Sequence, residues 1–302
     1  MLRRSFVRNL VSASAGGFLL RSKLLAQQAV IAVTPLRSKL RLLTGAGGNI
    51  VILEGQEGLL MVDSGLPDTI SAVLGETGKI GKGQVTRLIN THWHTDHTGG
   101  NTDLGKKGAK ILAHENVKTR LPKKQYMAFF KRTVEPLPPE GLPVETFGDR
   151  GKLKFAGETL HYHHLPPAHT DGDSVIHFQN ANVYHGGDLL FTGMYPFIDY
   201  SSRGSLEGMA GNAEKILKEV DENTVIVPGH GAVAQKKDVK EYADMLASSL
   251  DIFSKNIREG KSLEQMQAAK PFSAYDDKWG KGFIKPEAWI ALNYEGMTAK
   301  PS

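Results

Sequence analysis

From Lys39 onward the chain alternates short apolar runs with turn-forming residues. Lys39 to Leu43, Ile50 to Leu53 and Leu59 to Val62 are rich in Leu, Ile and Val and are broken by Gly45 to Gly48 and by Glu54 to Gly58, which predicts three strands joined by turns. Thr69 to Gly78 carries apolar residues at helical spacing, and Arg87 to Asn90 predicts a further short buried strand. The same alternation places strands at Lys110 to Ala113, Lys152 to Phe155, Thr159 to His163, Ser174 to Phe178, Val183 to His185 and Thr224 to Val227, with an amphipathic helix over Glu207 to Val220. Strands in groups with helices between them point to stacked sheets covered by helices, and not to a bundle or a barrel.

Beyond His230 the pattern changes to helical, over Asp238 to Arg258 and Lys285 to Tyr294. The expected organisation is therefore a catalytic-sized unit over residues 36–233 and a helical extension, 234–302, packed on the same domain. Leu121 to Val144, rich in Pro, Lys and aromatics, has no clear period. Connections of that length are often active-site covers, and this one is a candidate.

Charge changes the picture at one end only. The chain of 302 residues carries 37 basic against 32 acidic residues. Arg3, Arg4, Arg8, Arg21 and Lys23 lie in a leader without acids and account for the whole excess. A neutral remainder removes the main support for a nucleic-acid partner. The leader has a basic start, a mildly apolar stretch from Asn9 to Leu20, and small residues at Ala26 and Ala29, as an export signal over residues 1–28 would have. Arg3-Arg4-Ser5-Phe6-Val7-Arg8 resembles the twin-arginine signal of bacterial proteins exported already folded, so the expected location is the periplasm. The apolar stretch is too short to span a bilayer, and no stable membrane association is expected after export. Cysteine is absent, which excludes a disulfide framework and thiolate ligands, so any metal site must use His and carboxylate.

Candidate chemistry is concentrated in Thr91-His92-Trp93-His94-Thr95-Asp96-His97-Thr98-Gly99-Gly100-Asn101, directly after the Arg87 to Asn90 strand. At a strand end His92 and His94, two apart, point to one side. The turn that follows can swing Asp96 and His97 toward a second centre. Polar groups at this density after a buried strand are costly unless bound, and imidazole with carboxylate suits zinc or a related divalent ion. Further ligands are expected at later strand ends. His169 follows Leu165-Pro166-Pro167-Ala168, Asp188 ends Val183-Tyr184-His185-Gly186-Gly187, and His230 ends Val225-Ile226-Val227-Pro228-Gly229. The other histidines, His114, His161, His163, His164, His177 and His185, read as core or surface residues. Asp171 and Asp173 read as satisfying loop backbone. Tyr195 and Phe197, after the Asp188 strand, are candidates for an apolar substrate wall.

With these residues in order, the chain resembles the metallo-β-lactamase superfamily over roughly Leu36 to Val233. Asp63 in Leu60-Met61-Val62-Asp63-Ser64-Gly65 matches the first motif, the His92 to His97 run the second, His169 the third, Asp188 the fourth and His230 the fifth. The resemblance implies an α+β fold, an αββα sandwich of two mixed sheets flanked by helices. It implies two zinc ions, the first held by His92, His94 and His169 and the second by Asp96, His97 and His230. Asp188 would bridge the two, and Asp63 would orient a ligand histidine or the Asp96 loop. Two zinc ions ~3.5 to 4 Å apart bring a shared water toward neutral pKa for attack on a carbonyl, and Asp96 can carry the proton onward as the catalytic carboxylate.

The fourth motif separates activities within that resemblance. True zinc β-lactamases usually have Cys or Ser there, whereas thioesterases of the glyoxalase II kind and lactonases have Asp, as at Asp188. The expected activity is hydrolysis of a small ester, lactone, thioester or related carbonyl compound. The export signal disfavours cytosolic thioesters as the substrate. Hydrolysis of β-lactam antibiotics is the alternative, and a non-catalytic metal- or ligand-binding protein is the alternative of another class. His94, where iron oxidoreductases of this superfamily more often carry Glu, argues against redox chemistry.

Overall fold

The computed structural model describes residues 30–299, so the expected export signal lies outside the described residues. The chain runs β1 (Ala32–Pro35), β2 (Leu40–Thr44), β3 (Ile50–Gly55), β4 (Gly58–Val62), α1 (Ile70–Thr77), β5 (Val85–Ile89), α2 (Thr95–Thr98), α3 (Asn101–Lys106), β6 (Lys110–His114) and α4 (Glu115–Arg120). It continues through β7 (Gln125–Met127), β8 (Arg132–Val134), β9 (Glu145–Phe147), β10 (Arg150–Phe155), β11 (Glu158–His164), β12 (Ser174–Phe178) and β13 (Val183–Phe191). Then follow α5 (Leu206–Glu219), β14 (Val225–His230), α6 (Lys236–Arg258), α7 (Leu263–Ala269), α8 (Ser273–Trp279) and α9 (Pro286–Thr298).

Two mixed sheets stack face to face. One has the strand order β1-β2-β3-β4-β5-β6-β9 and the other β10-β11-β12-β13-β14. Period-two alternation in β2 to β5 decides which side chains face the partner sheet. Leu40, Leu42, Val51, Leu53, Leu60, Val62 and Ile89 point inward, where they meet Leu160, Ile176, Phe178, Val183 and Val227 of the second sheet. The alternate residues Leu43, Ile50, Ile52, Leu59, Met61 and Leu88 pack outward with Ile70 and Val73 of α1. The outer face of the second sheet is covered by α5 and α6, whose Leu206, Met209, Ile216, Val239, Tyr242, Leu246 and Phe253 share one core with Tyr184, Leu189 and Ile226. The result is an αββα sandwich of the α+β class.

The tail is helical and extends the outer layer. In α6 the buried residues Val239, Tyr242, Ala243, Met245, Leu246, Ser249 and Phe253 recur at three- and four-residue spacing. Gln235 and Asp238 cap its start reciprocally. Trp279 and Trp289 complete the same core from α8 and α9. Among the described residues no helix is long and apolar enough to cross a membrane.

Several elements go beyond those the apolar pattern predicts. The segment from Leu121 to Val144 carries the antiparallel hairpin β7–β8, paired Gln125 with Val134 and Met127 with Arg132. β13 is longer than its apolar start and continues through Gly186 and Gly187, with register shifts against β14 at that point. Gly187 takes φ 51°, a left-handed conformation that glycine adopts without a Cβ penalty, and the bulge re-aims Asp188 toward the edge where the parallel strands end.

Candidate metal centre

The candidate ligand residues converge because parallel pairing brings strand ends together. β4 pairs parallel with β5, and β13 parallel with β14. Asp63 follows β4, the histidine cluster follows β5, His230 ends β14, and His169 sits in the turn between β11 and β12. Asn49 joins the two sheets here. Its side-chain amide donates to the carbonyls of Pro228 at 2.9 Å and Gly231 at 3.0 Å, and its backbone N–H donates to Gly229 at 2.8 Å.

Two donor sets result, one of His92, His94, His169 and Asp188, and one of Asp96, His97 and His230, each with its ligand atoms within 4.8 Å of one another. In the first, His169 Nε2 lies 2.8 Å from His94 Nδ1 and 3.2 Å from His92 Nε2. In the second, His97 Nε2 lies 3.4 Å from His230 Nε2, and His230 Nε2 lies 3.1 Å from Asp96 Oδ2. Asp188 stands between them, with Oδ1 3.1 Å from His97 Nε2, and Oδ2 3.3 Å from His169 Nε2 and 3.4 Å from His230 Nε2.

Which ring nitrogen carries hydrogen follows from the outward partners. His169 Nδ1 faces the Phe197 carbonyl at 2.7 Å, His94 Nε2 faces Asp199 Oδ2 at 3.1 Å, and His97 Nδ1 faces Asp63 Oδ2 at 2.8 Å. Each partner only accepts, so each outward nitrogen donates. Thr91 Oγ1 donates to Asp63 Oδ2 at 2.7 Å, which leaves it to accept from His92 Nδ1 at 3.1 Å. In neutral rings the inward nitrogens then present lone pairs to one another. Buried lone pairs at these separations repel unless a cation lies among them. Asp188 Oδ1 is likewise buried and, with His97 neutral, has no hydrogen-bond donor. These donors fit divalent metal ions such as zinc.

Without metal the two donor sets differ in charge. Burial pushes the His92 and His169 imidazoles down, His169 to about 4, and so keeps them neutral. Burial also works against charge on His97 and His230, but there the Asp188 and Asp96 carboxylates outweigh it. His97 is raised well above its ordinary value and His230 to about 9. Burial alone would raise Asp188, yet His230 and His97 hold it well below the usual carboxylate range. Asp96 is lowered by His97 and His230 in the same way, against its own burial.

The supporting shell includes Asp63 and Asp173, which the sequence singled out, and Asp199, which it did not. Asp63, fully buried with φ 64°, accepts from the Thr91 backbone N–H at 2.8 Å as well as from Thr91 Oγ1 and His97. It fixes the ring of His97, a candidate ligand, and is not simply a turn residue. Asp199 had no assigned role, yet it also accepts from Ser202 Oγ at 2.6 Å. Asp173 accepts from the backbone N–H groups of His169 and Thr170, both at 2.8 Å, which fixes the His169 turn. Burial raises its carboxyl to about 7 in spite of those bonds. Two glycines make room for the ligands, since a Cβ on Gly48 would overlap the His97 ring and one on Gly229 would overlap Asp188 Oδ1.

A cavity of about 390 Å³ opens over the ligands, lined by His94, Asp96, Asp188 and His230 together with apolar side chains. Phe197 is one of these, as the sequence suggested. Tyr195 is not, because its ring is fully buried and stacks on Trp289 at 5.0 Å, with its hydroxyl donating to Asp276 at 2.9 Å. The two aromatics lie on opposite sides of one loop. Met127, Phe130 and Arg132, from the Leu121 to Val144 segment, also line the cavity.

Comparison with known proteins matches residues 43–230 to the family described as the metallo-beta-lactamase superfamily. A metallo-beta-lactamase type 2 of Bacillus cereus is 26% identical over 200 residues, covering 66% of this chain and 72% of that protein. A hydroxyacylglutathione hydrolase of Polaromonas sp. is 29% identical over 209 residues, covering 61% of this chain and 75% of that protein. Among solved structures, a metallo-beta-lactamase from Pontibacter korlensis superposes with TM-score 0.59 at 19% identity, over 72% of this chain and 99% of the other. A stereoselective inverting sec-alkylsulfatase from Pseudomonas sp. superposes with TM-score 0.64 at 17% identity, over 88% of this chain and 50% of the other.

Proposed function

Since the chain belongs to the metallo-β-lactamase superfamily, we propose that it is a binuclear zinc hydrolase of small carbonyl compounds: an ester, a lactone, a thioester or a related cyclic substrate. The observation that carries this reading is the set of inward-facing nitrogens of His92, His94, His97 and His169, each ring fixed by an acceptor on its outer side, with His230 and the buried Asp188 carboxylate facing them. His92, His94 and His169 would hold one ion and Asp96, His97 and His230 the other, with Asp188 between both. When bound, such a pair supplies Lewis acidity and brings water toward neutral pKa.

The protein's own residues do the rest. Asp63, Asp199 and the Phe197 carbonyl hold the imidazoles in one tautomer and orientation. Asp96 reaches the cavity with its side chain 30% exposed, placed to take a proton from the attacking water and pass it to the leaving group. Phe197 and the hairpin exclude water from one side of the cavity.

β-Lactam hydrolysis is the second reading, favoured by the similarity to the Bacillus cereus enzyme. The Arg3-Arg4 leader supports a periplasmic location, where either activity would meet its substrate. The test is a screen of zinc-loaded protein against lactones, esters, thioesters, β-lactams and a phosphodiester. Carbonyl turnover that disappears with a chelator and returns with zinc supports the proposal, and zinc-loaded protein inert toward every carbonyl substrate contradicts it.

A further inference from the structure

The cavity over the candidate metal ligands is otherwise mostly apolar, with Thr95 and one cation as its further polar side chains. Leu66, Met127, Phe130, Phe197 and Phe283 line it, and Arg132 is the single lysine or arginine among the lining residues. Phe130 and Phe283 are 44% and 53% exposed, in a molecule whose other large apolar side chains are mostly buried. Exposed aromatics concentrated at the mouth of a cavity mark a surface that a ligand covers.

Arg132 lies on β8, paired with Met127 of β7, so the hairpin presents it as part of a two-stranded unit and not on a free loop. Among the described residues its guanidinium makes no ion pair or side-chain hydrogen bond. An arginine at a cavity wall beside aromatics, with five donors uncommitted, is suited to take a planar anion in a two-point contact.

Resting on the hydrolase reading, we propose that the substrate is a monoanion with an apolar body. Its apolar part would pack between Phe130, Phe197 and Phe283, and Arg132 would hold a carboxylate remote from the bond that is cleaved. One guanidinium neutralises one negative charge. A second charge on the part remote from the metal ligands would lie against Leu66, Met127 and the phenylalanines without a further cation, which disfavours it. The chain's own hairpin, an element outside the metal-ligand motifs, thus sets substrate charge.

Two neutral and anionic pairs test this on zinc-loaded full-length protein. The first pair is 4-nitrophenyl hexanoate and the mono-4-nitrophenyl ester of adipic acid, compared by kcat/KM. The second is hexananilide and the mono-anilide of adipic acid, whose Kd is read by calorimetry without turnover. Wild type should prefer the anionic member of each pair. Arg132→Met should reduce that preference by about tenfold or more, the worth of a charge-assisted hydrogen bond, and Arg132→Lys should retain part of it. Circular dichroism and zinc content establish that both variants are folded. A preference that Arg132→Met leaves within about twofold of wild type in the anilide pair overturns the proposal, as does tighter binding of the neutral anilide. An Arg132-dependent anilide preference without cleavage of either ester keeps the inference and places the failure in the choice of scissile bond.

Discussion

His94 Nε2 lies 3.1 Å from Asp199 Oδ2, a carboxylate that is 1% exposed and anchored by Ser202. The contact turns His94 so that Nδ1, and not Nε2, faces His169. Burial opposes the charge on Asp199, but the hydrogen bond from His94 holds its carboxyl well below the usual range. Asp199→Ala should therefore free the ring and weaken the first zinc by about 10- to 100-fold, the usual cost of losing such a partner. Competition titration against a chelator reads this directly. Unchanged affinity in a folded variant would show that His94 needs no orienting carboxylate.

Asp188 stands between both donor sets, so its removal should separate them. In Asp188→Ala the three histidines His92, His94 and His169 keep one zinc while the second ion is lost. Turnover should fall by about two orders of magnitude or more, as for other deletions of groups that position a metal or stabilise transition-state charge. His169→Ala should instead weaken the first ion. Metal content and rate are measured together, and Asp188→Ala with two zinc ions and near-normal turnover would remove the bridging role.

Zinc uptake should release protons near neutral pH. His230 is raised to about 9 and His97 is also raised, so both are largely protonated in the metal-free protein and must lose those protons to coordinate. A raised imidazole pKa means that proton competition is strongest at low pH. Affinity of the second site should rise with pH and level off above about 9. Calorimetry in buffers of different ionisation enthalpy counts the protons, and uptake without release would contradict the assignment.

Export is tested separately from catalysis. Replacing Arg3 and Arg4 together by Lys should stop delivery to the periplasm without altering the activity of the purified protein, because such a leader is read by a receptor. Mutant protein still recovered from the periplasmic fraction would rule out the twin-arginine route.

The seven candidate ligands are legible because each sits where an apolar run ends in Gly, Pro or a tight polar turn, a local signal carried strand by strand. Asp63 was recognised as a carboxylate at a strand end, but its hold on His97 depends on packing between β4 and the turn after β5. Asp199 went unnoticed because it becomes a partner of His94 only when a distant loop folds over the cluster. The one available signal was an acid ending the apolar run Tyr195-Pro196-Phe197-Ile198, the same form that revealed Asp188. That run also shows the limit of pattern alone, since Tyr195 and Phe197 look alike in sequence and only the stacking of Tyr195 on Trp289 separates them. The β7–β8 hairpin escaped because strands of three residues are too short to display a period. The helical tail was visible in α6, where the apolar face persists over many turns, but not in the short α7 and α8.

Two zinc ions should sit in the two adjoining donor sets with Asp188 between them. A crystal of zinc-loaded protein, measured on both sides of the zinc absorption edge, tests it most directly. Two anomalous peaks per chain are expected about 3.5 to 4 Å apart, one against His92, His94 and His169 and one against Asp96, His97 and His230. A single peak under zinc excess, or a pair of peaks that Asp188 does not touch, would contradict it.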